Sequence, residues 1–315
     1  MSNILITGAH GFIGKHLARW LAQQGHQVVG LGHGIWPAVE AASWGVTQWL
    51  NGDIQSGNLR LLQQASGTPD VVYHLAGGSS VGVAIANPRE DFFRTVATTA
   101  ELLEWLRVDA PQARLVAVSS AAVYGSDHDG LIAEDATLTP YSPYGHHKRV
   151  MEELCRSYAN SYGLQISIAR LFSVFGAELK KQLLWDLCSR LATGTRPLVL
   201  GGNGNELRDW TDVRDVVRAL DLLATQACAE VAVANVGTGL GTSVRHIATG
   251  IARHWPLLDA ADALQFSGQS RPGDPFSLVA NASGLNKLGF IWAIPVEKGL
   301  DDYVRWFQSQ RKAPQ

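Results

Sequence analysis

Gly8-Ala9-His10-Gly11-Phe12-Ile13-Gly14 spaces three glycines as GxxGxxG directly after the apolar run Ile4–Thr7. Beyond the loop, Ile13, Leu17, Trp20, Leu21 and Gln24 recur near one face of a helix predicted over Phe12–Gln24. Strand, glycine turn and helix in this order admit few folds. The first glycine permits a tight strand-to-helix turn, the second lets a pyrophosphate approach the backbone, and the third lets helix and strand pack closely. The helix start then offers free N–H groups and a partial positive charge. A glycine-rich turn without a ligand would satisfy the spacing alone. The position between strand and helix is what points to a dinucleotide.

The alternation continues. Gln27–Leu31, Asp70–Leu75, Leu115–Ser119 and Gln165–Ala169 read as strands, and Glu90–Arg107 and Tyr144–Tyr162 as long helices. Such order implies βαβ units and a doubly wound parallel sheet of the α/β class. Leu183–Thr193 and Val213–Ala224 read as helices, and Pro197–Gly202 and Trp210–Val213 as short extended pieces. Gly, Pro and Asn cluster around 201–205, 235–241 and 268–275. We therefore expect a dinucleotide-binding domain over residues 1–172 and a smaller, irregular substrate lobe over 173–315, with segments near 213–240, Val231–Val236 for example, returning to the main sheet.

Composition excludes several classes. Hydrophobic residues make up 46% and charged residues 17%, enough apolar side chain for a real core. A formal net charge of -2, without a Lys/Arg run, argues against nucleic acid and anionic membrane surfaces as partners. No apolar stretch reaches the roughly 18 to 20 residues of a membrane span. Met1-Ser2-Asn3 carries no basic segment of a secretory signal, and Cys155, Cys188 and Cys228 stand far apart, so a reducing cytoplasm is expected and no metal site is read.

The second strand, Val28-Val29-Gly30-Leu31, runs into Gly32-His33-Gly34. An acid at position 32 would bind a ribose 2′-OH and repel a 2′-phosphate. Gly32 does neither, which leaves NAD and NADP both open. Asp53 follows the third strand. On its own it reads as a loop acid capping a helix around Leu59–Gln64; it can also accept a hydrogen bond from an adenine amino group.

Ser119-Ser120-Ala121-Ala122-Val123-Tyr124-Gly125 ends a buried strand, and carboxyl ends of such strands are where ligands bind. In Ser142-Pro143-Tyr144-Gly145-His146-His147-Lys148, Tyr144 and Lys148 lie four apart at a helix start and share a face. A tyrosine needs a nearby cation to act as a base near neutrality. Lys148 would supply that charge and hold the nicotinamide ribose, while Ser120 donates to the substrate oxygen. An exposed Tyr–Lys pair is common, but its conjunction with the glycine loop and the serine strand points to redox catalysis. His146 and His147, being adjacent, face different sides of the helix and read as surface or structural residues.

Together these residues resemble the extended short-chain dehydrogenase/reductase family, in its nucleotide-sugar epimerase/dehydratase branch. The resemblance rests on Gly8–Gly14, Asp53-Ile54, His74-Leu75-Ala76-Gly77, Asn87-Pro88, Ser119–Gly125, Ser142–Lys148, Arg170–Gly176, Arg208-Asp209, Asn235-Val236-Gly237 and Arg271-Pro272-Gly273-Asp274. It implies a Rossmann fold and a catalytic set of Ser120, Tyr144 and Lys148. NAD or NADP would lie against Gly8, Gly11, Phe12, Ile13, Gly14, Asp53, Ile54, Leu75, Ala76, Gly77, Tyr144, Lys148 and Leu171. A nucleotide-sugar substrate would meet Ser79, Ser120, Tyr144, Ser173, Arg208 and Arg271, the arginines clamping its diphosphate. A homodimer through Glu90–Arg107 and Tyr144–Tyr162 is also implied.

Departures from the family pattern narrow the reaction. Dehydratases of this branch place an Asp-Glu pair just after the catalytic hydroxyl; this chain has Ala121-Ala122, which cannot transfer a proton. Thr95 and Ser173 stand where Asn is usual. The leading expectation is C4 epimerisation through a transient 4-keto sugar. The alternative is 4-keto reduction of a nucleotide 6-deoxysugar, which Gly32 favours. A non-catalytic dinucleotide sensor is a third reading, against which the intact Ser120–Tyr144–Lys148 set argues.

Overall fold

The computed structural model describes residues 1–195, 197–255, 264–269 and 275–312. The first half alternates β1 (Asn3–Thr7), α1 (Phe12–Gln23), β2 (Gln27–Gly32), α2 (Ala38–Ser43), β3 (Val46–Asn51), α3 (Ser56–Ser66), β4 (Val71–His74), α4 (Val81–Ala86), α5 (Pro88–Phe92), α6 (Thr98–Asp109) and β5 (Arg114–Ser120). After β6 (Leu131–Ile132), α7 (Pro143–Tyr162) and β7 (Ile166–Leu171) come β8 (Ser173–Phe175), α8 (Gln182–Ala192), β9 (Leu198–Leu200), β10 (Leu207–Asp212), α9 (Val213–Ala224) and β11 (Ala232–Val236). Then follow β12 (Gly241–Ser243), α10 (Val244–Ala252), β13 (Leu264–Phe266), β14 (Ser277–Ala280) and two further helices, Ser283–Lys287 and Val296–Lys312.

The main sheet has the order β11-β7-β5-β4-β1-β2-β3, and every pair in it is parallel. Alternate residues of β1 face opposite layers: Ile4 and Ile6 pack with Leu17 and Leu21 of α1 and Leu220 of α9, whereas Leu5 packs with Leu59 of α3 and Leu103 of α6. Strand order reverses between β1 and β4, so their carboxyl ends open a crevice there. The second lobe holds the sheet β12-β10-β14-β6, with β8 beside β10 and β9 paired to β13. A separate core of α8, α10 and the last helix supports it, built on Leu187, Ile247 and Tyr303.

Three readings of the sequence are corrected. The helix read over Glu90–Arg107 begins at Pro88 and is interrupted by a π turn, Phe93–Ala97. There the hydroxyls of Thr98 and Thr99 donate to the carbonyls of Arg94 and Thr95, and Thr95 Oγ1 accepts the Gly78 N–H at 2.9 Å. Val213 opens α9 rather than closing a strand, because the Asp212 carboxylate caps that helix through the Arg214 N–H. Asp53 caps nothing: α3 starts after Gln55 without a side-chain cap, and the Asp53 carboxylate pairs with His33 at 2.9 Å.

Candidate active site

A cavity of about 1460 Å³ opens along the carboxyl ends of β1, β4, β5 and β7 and runs into the second lobe. Typical ligand pockets span ~300–1,000 Å³, so this one has room for a dinucleotide and a second ligand together. Gly8, Gly11, Phe12, Ile13 and Gly14 line one end with Asp53 and Ile54. Leu75, Ala76, Gly77 and Leu171 line the middle with Ser120, Tyr144 and Lys148; Ser79, Ser173 and Arg208 lie on the far side. Arg271 lies outside the described residues.

The glycine loop has the backbone that a phosphate cradle requires. Gly8 has φ +77, and a Cβ on Gly14 would stand 2.2 Å from the Gly8 carbonyl oxygen. No side chain caps the start of α1, whose first residues, Phe12, Ile13 and Gly14, line the cavity.

The catalytic candidates meet because α7 is seated on the turn after Ser120. Ser142 caps α7 by accepting the Gly145 N–H, and Pro143 sits in its first turn. Gly145 lies on Ala122, where a Cβ would meet the carbonyl oxygen at 2.5 Å. That close approach places the Tyr144 phenol beside the Ser120 hydroxyl, whose polar interaction favours the phenolate. Neighbouring serines on β5 differ: both border the cavity, but the Ser119 hydroxyl is committed to Glu152 Oε1 at 2.6 Å, whereas that of Ser120 is not. Glu152 is held by a buried two-point pair with Arg170 at 2.9 and 2.7 Å, and Arg170 also donates to the Tyr124 hydroxyl.

Lys148 is 3% exposed and donates from Nζ to the Val118 carbonyl at 2.9 Å. Burial lowers its pKa to about 8, against the opposing pull of Asp91 and Glu152. Burial also raises the Tyr144 phenol above its ordinary 10, an effect that the Ser120 hydroxyl counters.

A buried polar chain fixes the loop that faces Lys148. Thr99 Oγ1 donates to the Thr95 carbonyl and accepts from His74 Nε2; His74 Nδ1 in turn accepts from Thr7 Oγ1 at 2.7 Å. These bonds require the Nε2–H tautomer, and burial holds the imidazole neutral with a pKa near 3.

A residue not singled out in the sequence, Lys181, also lines the cavity. Lys181, preceding α8, reaches Ser79 Oγ at 3.0 Å across it. Glu178 and Gln182 on either side have φ of 74 and 65, a strained backbone for side chains of this kind. Asp209, beside Arg208, is fully buried and accepts N–H bonds from Thr238, Gly239 and Ala280, which ties β10 to the loop after β11. The tandem Lys180-Lys181 was the one sequence signal for this strap, and nothing local placed it over the cavity.

Residues 4–237 match the NAD dependent epimerase/dehydratase family. UDP-glucose 4-epimerase 4 of Oryza sativa subsp. japonica is 32% identical over 310 residues, covering 89% of this chain and 83% of that protein. The solved structure of MoeE5 in complex with UDP-glucose and NAD is 31% identical, with a TM-score of 0.85 and coverage of 98% and 100%. UDP-glucuronic acid 4-epimerase from Bacillus cereus, solved with UDP-glucuronic acid and NAD, is 27% identical at a TM-score of 0.84, covering 98% and 99%. The family suggested by the sequence motifs is the one these matches show, and the chain belongs to the NAD dependent epimerase/dehydratase family.

Proposed function

We propose that this chain is an NAD-dependent 4-epimerase of a UDP-linked sugar. One observation carries the reading: a hydroxyl, a phenol and a buried ammonium, from Ser120, Tyr144 and Lys148, meet in the cavity that also holds the glycine loop, with no acid after Ser120. The glycine loop and the α1 start would hold the pyrophosphate, and Lys148 the nicotinamide ribose. Bound NAD supplies a hydride acceptor at sugar C4 that later gives the hydride back.

Tyr144, as phenolate, takes the proton of the 4-hydroxyl and returns it once the 4-keto sugar has presented its other face. Lys148 favours the phenolate by its charge. Ser120 bonds the reacting oxygen in both states. No proton is gained or lost overall, so no further acid is needed. Ala121 and Ala122 leave nothing there to expel water from the neighbouring carbon. Segments after Leu171, with Arg208 and Ser79, form the substrate side; β11 belongs by pairing to the dinucleotide side.

A second reading, reduction of a 4-keto sugar nucleotide, is favoured by Gly32, which puts no carboxylate at the end of β2. Interconversion of UDP-glucose and UDP-galactose without added cofactor tests the first reading; consumption of NADPH with a UDP-4-keto sugar tests the second.

The homodimer is also part of this proposal. Phe92, Phe93, Val150 and Tyr162 are exposed apolar side chains on the helix pair that the family resemblance assigns to dimerisation. Analytical ultracentrifugation tests it. Among the described residues no helix is long and apolar enough to cross a membrane. Three free cysteines accord with a reducing, cytoplasmic setting.

A further inference from the structure

Behind Tyr144 and Lys148 stands a hydrogen-bonded pair that no step above uses. His147 Nδ1 and Asp91 Oδ2 are 2.6 Å apart, with side chains 16% and 4% exposed. Asp91 belongs to α5, just before the π turn, and His147 to the first turns of α7, between the two catalytic residues in sequence. The Phe92 ring covers the imidazole edge-on at 5.6 Å. The other carboxylate oxygen lies against the cavity wall: a Cβ on Gly78 would stand 1.8 Å from Asp91 Oδ1. On the adjacent Gly77 a Cβ would stand 3.3 Å from Lys148 Nζ. The carboxylate and the ammonium therefore flank neighbouring glycines of one loop.

We propose that Asp91 and His147 are positioning residues, a hydrogen-bonded brace that seats the first turns of α7 against the loop at Gly77-Gly78 and holds the Asp91 carboxyl group close to Lys148. The inference rests on Lys148 as the catalytic ammonium. Buried carboxylates persist where a hydrogen-bonded partner satisfies them, and Asp91 has His147 on one side only. Its remaining charge faces the loop that separates it from Lys148. The ionisable groups acting on Lys148 are Asp91 from α5, and Glu152 and Cys155 from α7. From β4, His74 lies within its field. Glu152 is already held by Arg170 and Arg156, which leaves Asp91 as the carboxylate whose charge is least committed to an arginine.

The test is the pH dependence of turnover in Asp91→Asn, Asp91→Glu, His147→Gln and His147→Ala, each corrected for folded fraction. Asp91→Asn moves the high-pH decline of kcat to lower pH, so that the wild-type to variant ratio grows by about threefold or more between pH 6.5 and 8.5, with KM little changed. Asp91→Glu keeps the charge and the wild-type profile. His147→Gln, which still donates to Asp91, restores what His147→Ala loses in kcat. NADH affinity, followed by its fluorescence over the same range, reads the charge of Lys148 without any sugar, so an error in the substrate leaves this arm intact. Superimposable profiles for wild type and Asp91→Asn overturn the proposal. Equal damage from His147→Gln and His147→Ala overturns it too. If Asp91→Asn fails to fold, the Asp91→Glu profile and the two His147 variants decide.

Discussion

Gly145 rests on Ala122 so closely that any side chain would stand 2.5 Å from the Ala122 carbonyl oxygen. The contact fixes helix α7 to the turn that follows Ser120, and with it the meeting of Ser120 and Tyr144. Gly145→Ala must push backbone against backbone, which costs more than rotating a side chain. We expect kcat to fall by roughly 10²-fold or more while the far-UV circular dichroism stays native, since a displacement of about 1 Å is enough to lose that much.

Tyr144→Phe removes the proton acceptor without changing the packing of the ring. Turnover should fall by about 10²–10⁴-fold, the usual worth of a general base. Cofactor affinity, measured by fluorescence titration, should change little. Full turnover in this variant would remove Tyr144 from the catalytic set.

Lys148→Met should inactivate the enzyme and stabilise it. The ammonium has a pKa of about 8 in the fold against an ordinary 10.5. Below pH 8 the folded protein therefore carries a buried cation that it holds less readily than the unfolded chain does. Stability then rises as pH climbs from 8 to 10.5, where the unfolded chain binds the extra proton. Thermal melts at pH 7 should show the variant more stable by roughly 1–3 kcal/mol. The same pKa predicts that wild-type kcat declines as pH rises through about 8.

His74 predicts the acid side of stability. Its pKa is near 3 in the fold and 6.5 ordinarily, because burial and Lys148 both oppose charge. Between those values the unfolded chain binds the additional proton, so stability is lost as pH falls from 6.5 towards 3. Urea denaturation of wild type and His74→Gln across that window should show a shallower dependence in the variant.

Lys181→Ala should raise KM for the nucleotide sugar by about tenfold and change kcat less, the pattern of an interaction made equally in ground and transition states. Lys181 bridges the cavity to Ser79 from a segment in which Glu178 and Gln182 both have positive φ. A drop in kcat at unchanged KM would place Lys181 in the chemistry rather than in binding.

Local features were legible in the sequence. The glycine loop, the serines closing β5 and the Tyr144–Lys148 spacing each lie within one strand end or helix turn, where residue type and period determine geometry. What escaped depends on contacts made by folding. Lys181 meets Ser79 across 102 residues, and His147 meets Asp91 across 56. Neither partner marks the other in the chain. The π turn at Phe93–Ala97 escaped because apolar spacing carries no sign of it; it places Thr95 where its hydroxyl accepts the distant Gly78 N–H. Position alone offers Asp53 two roles, a helix cap or a partner for an adenine amino group; the cap does not form, since its carboxylate turns to His33 and α3 begins without a side-chain cap, while Asp53 lines the cavity.

The central claim is that one redox set serves both half-reactions on a bound sugar. Its most direct test is incubation of the purified protein with UDP-glucose, without added cofactor, followed by proton NMR of the anomeric region. The account predicts that UDP-galactose accumulates to an equilibrium mixture, and that Tyr144→Phe abolishes this. UDP-glucose and other UDP-sugars left unchanged, together with stoichiometric oxidation of added NADPH by a UDP-4-keto sugar, would contradict it.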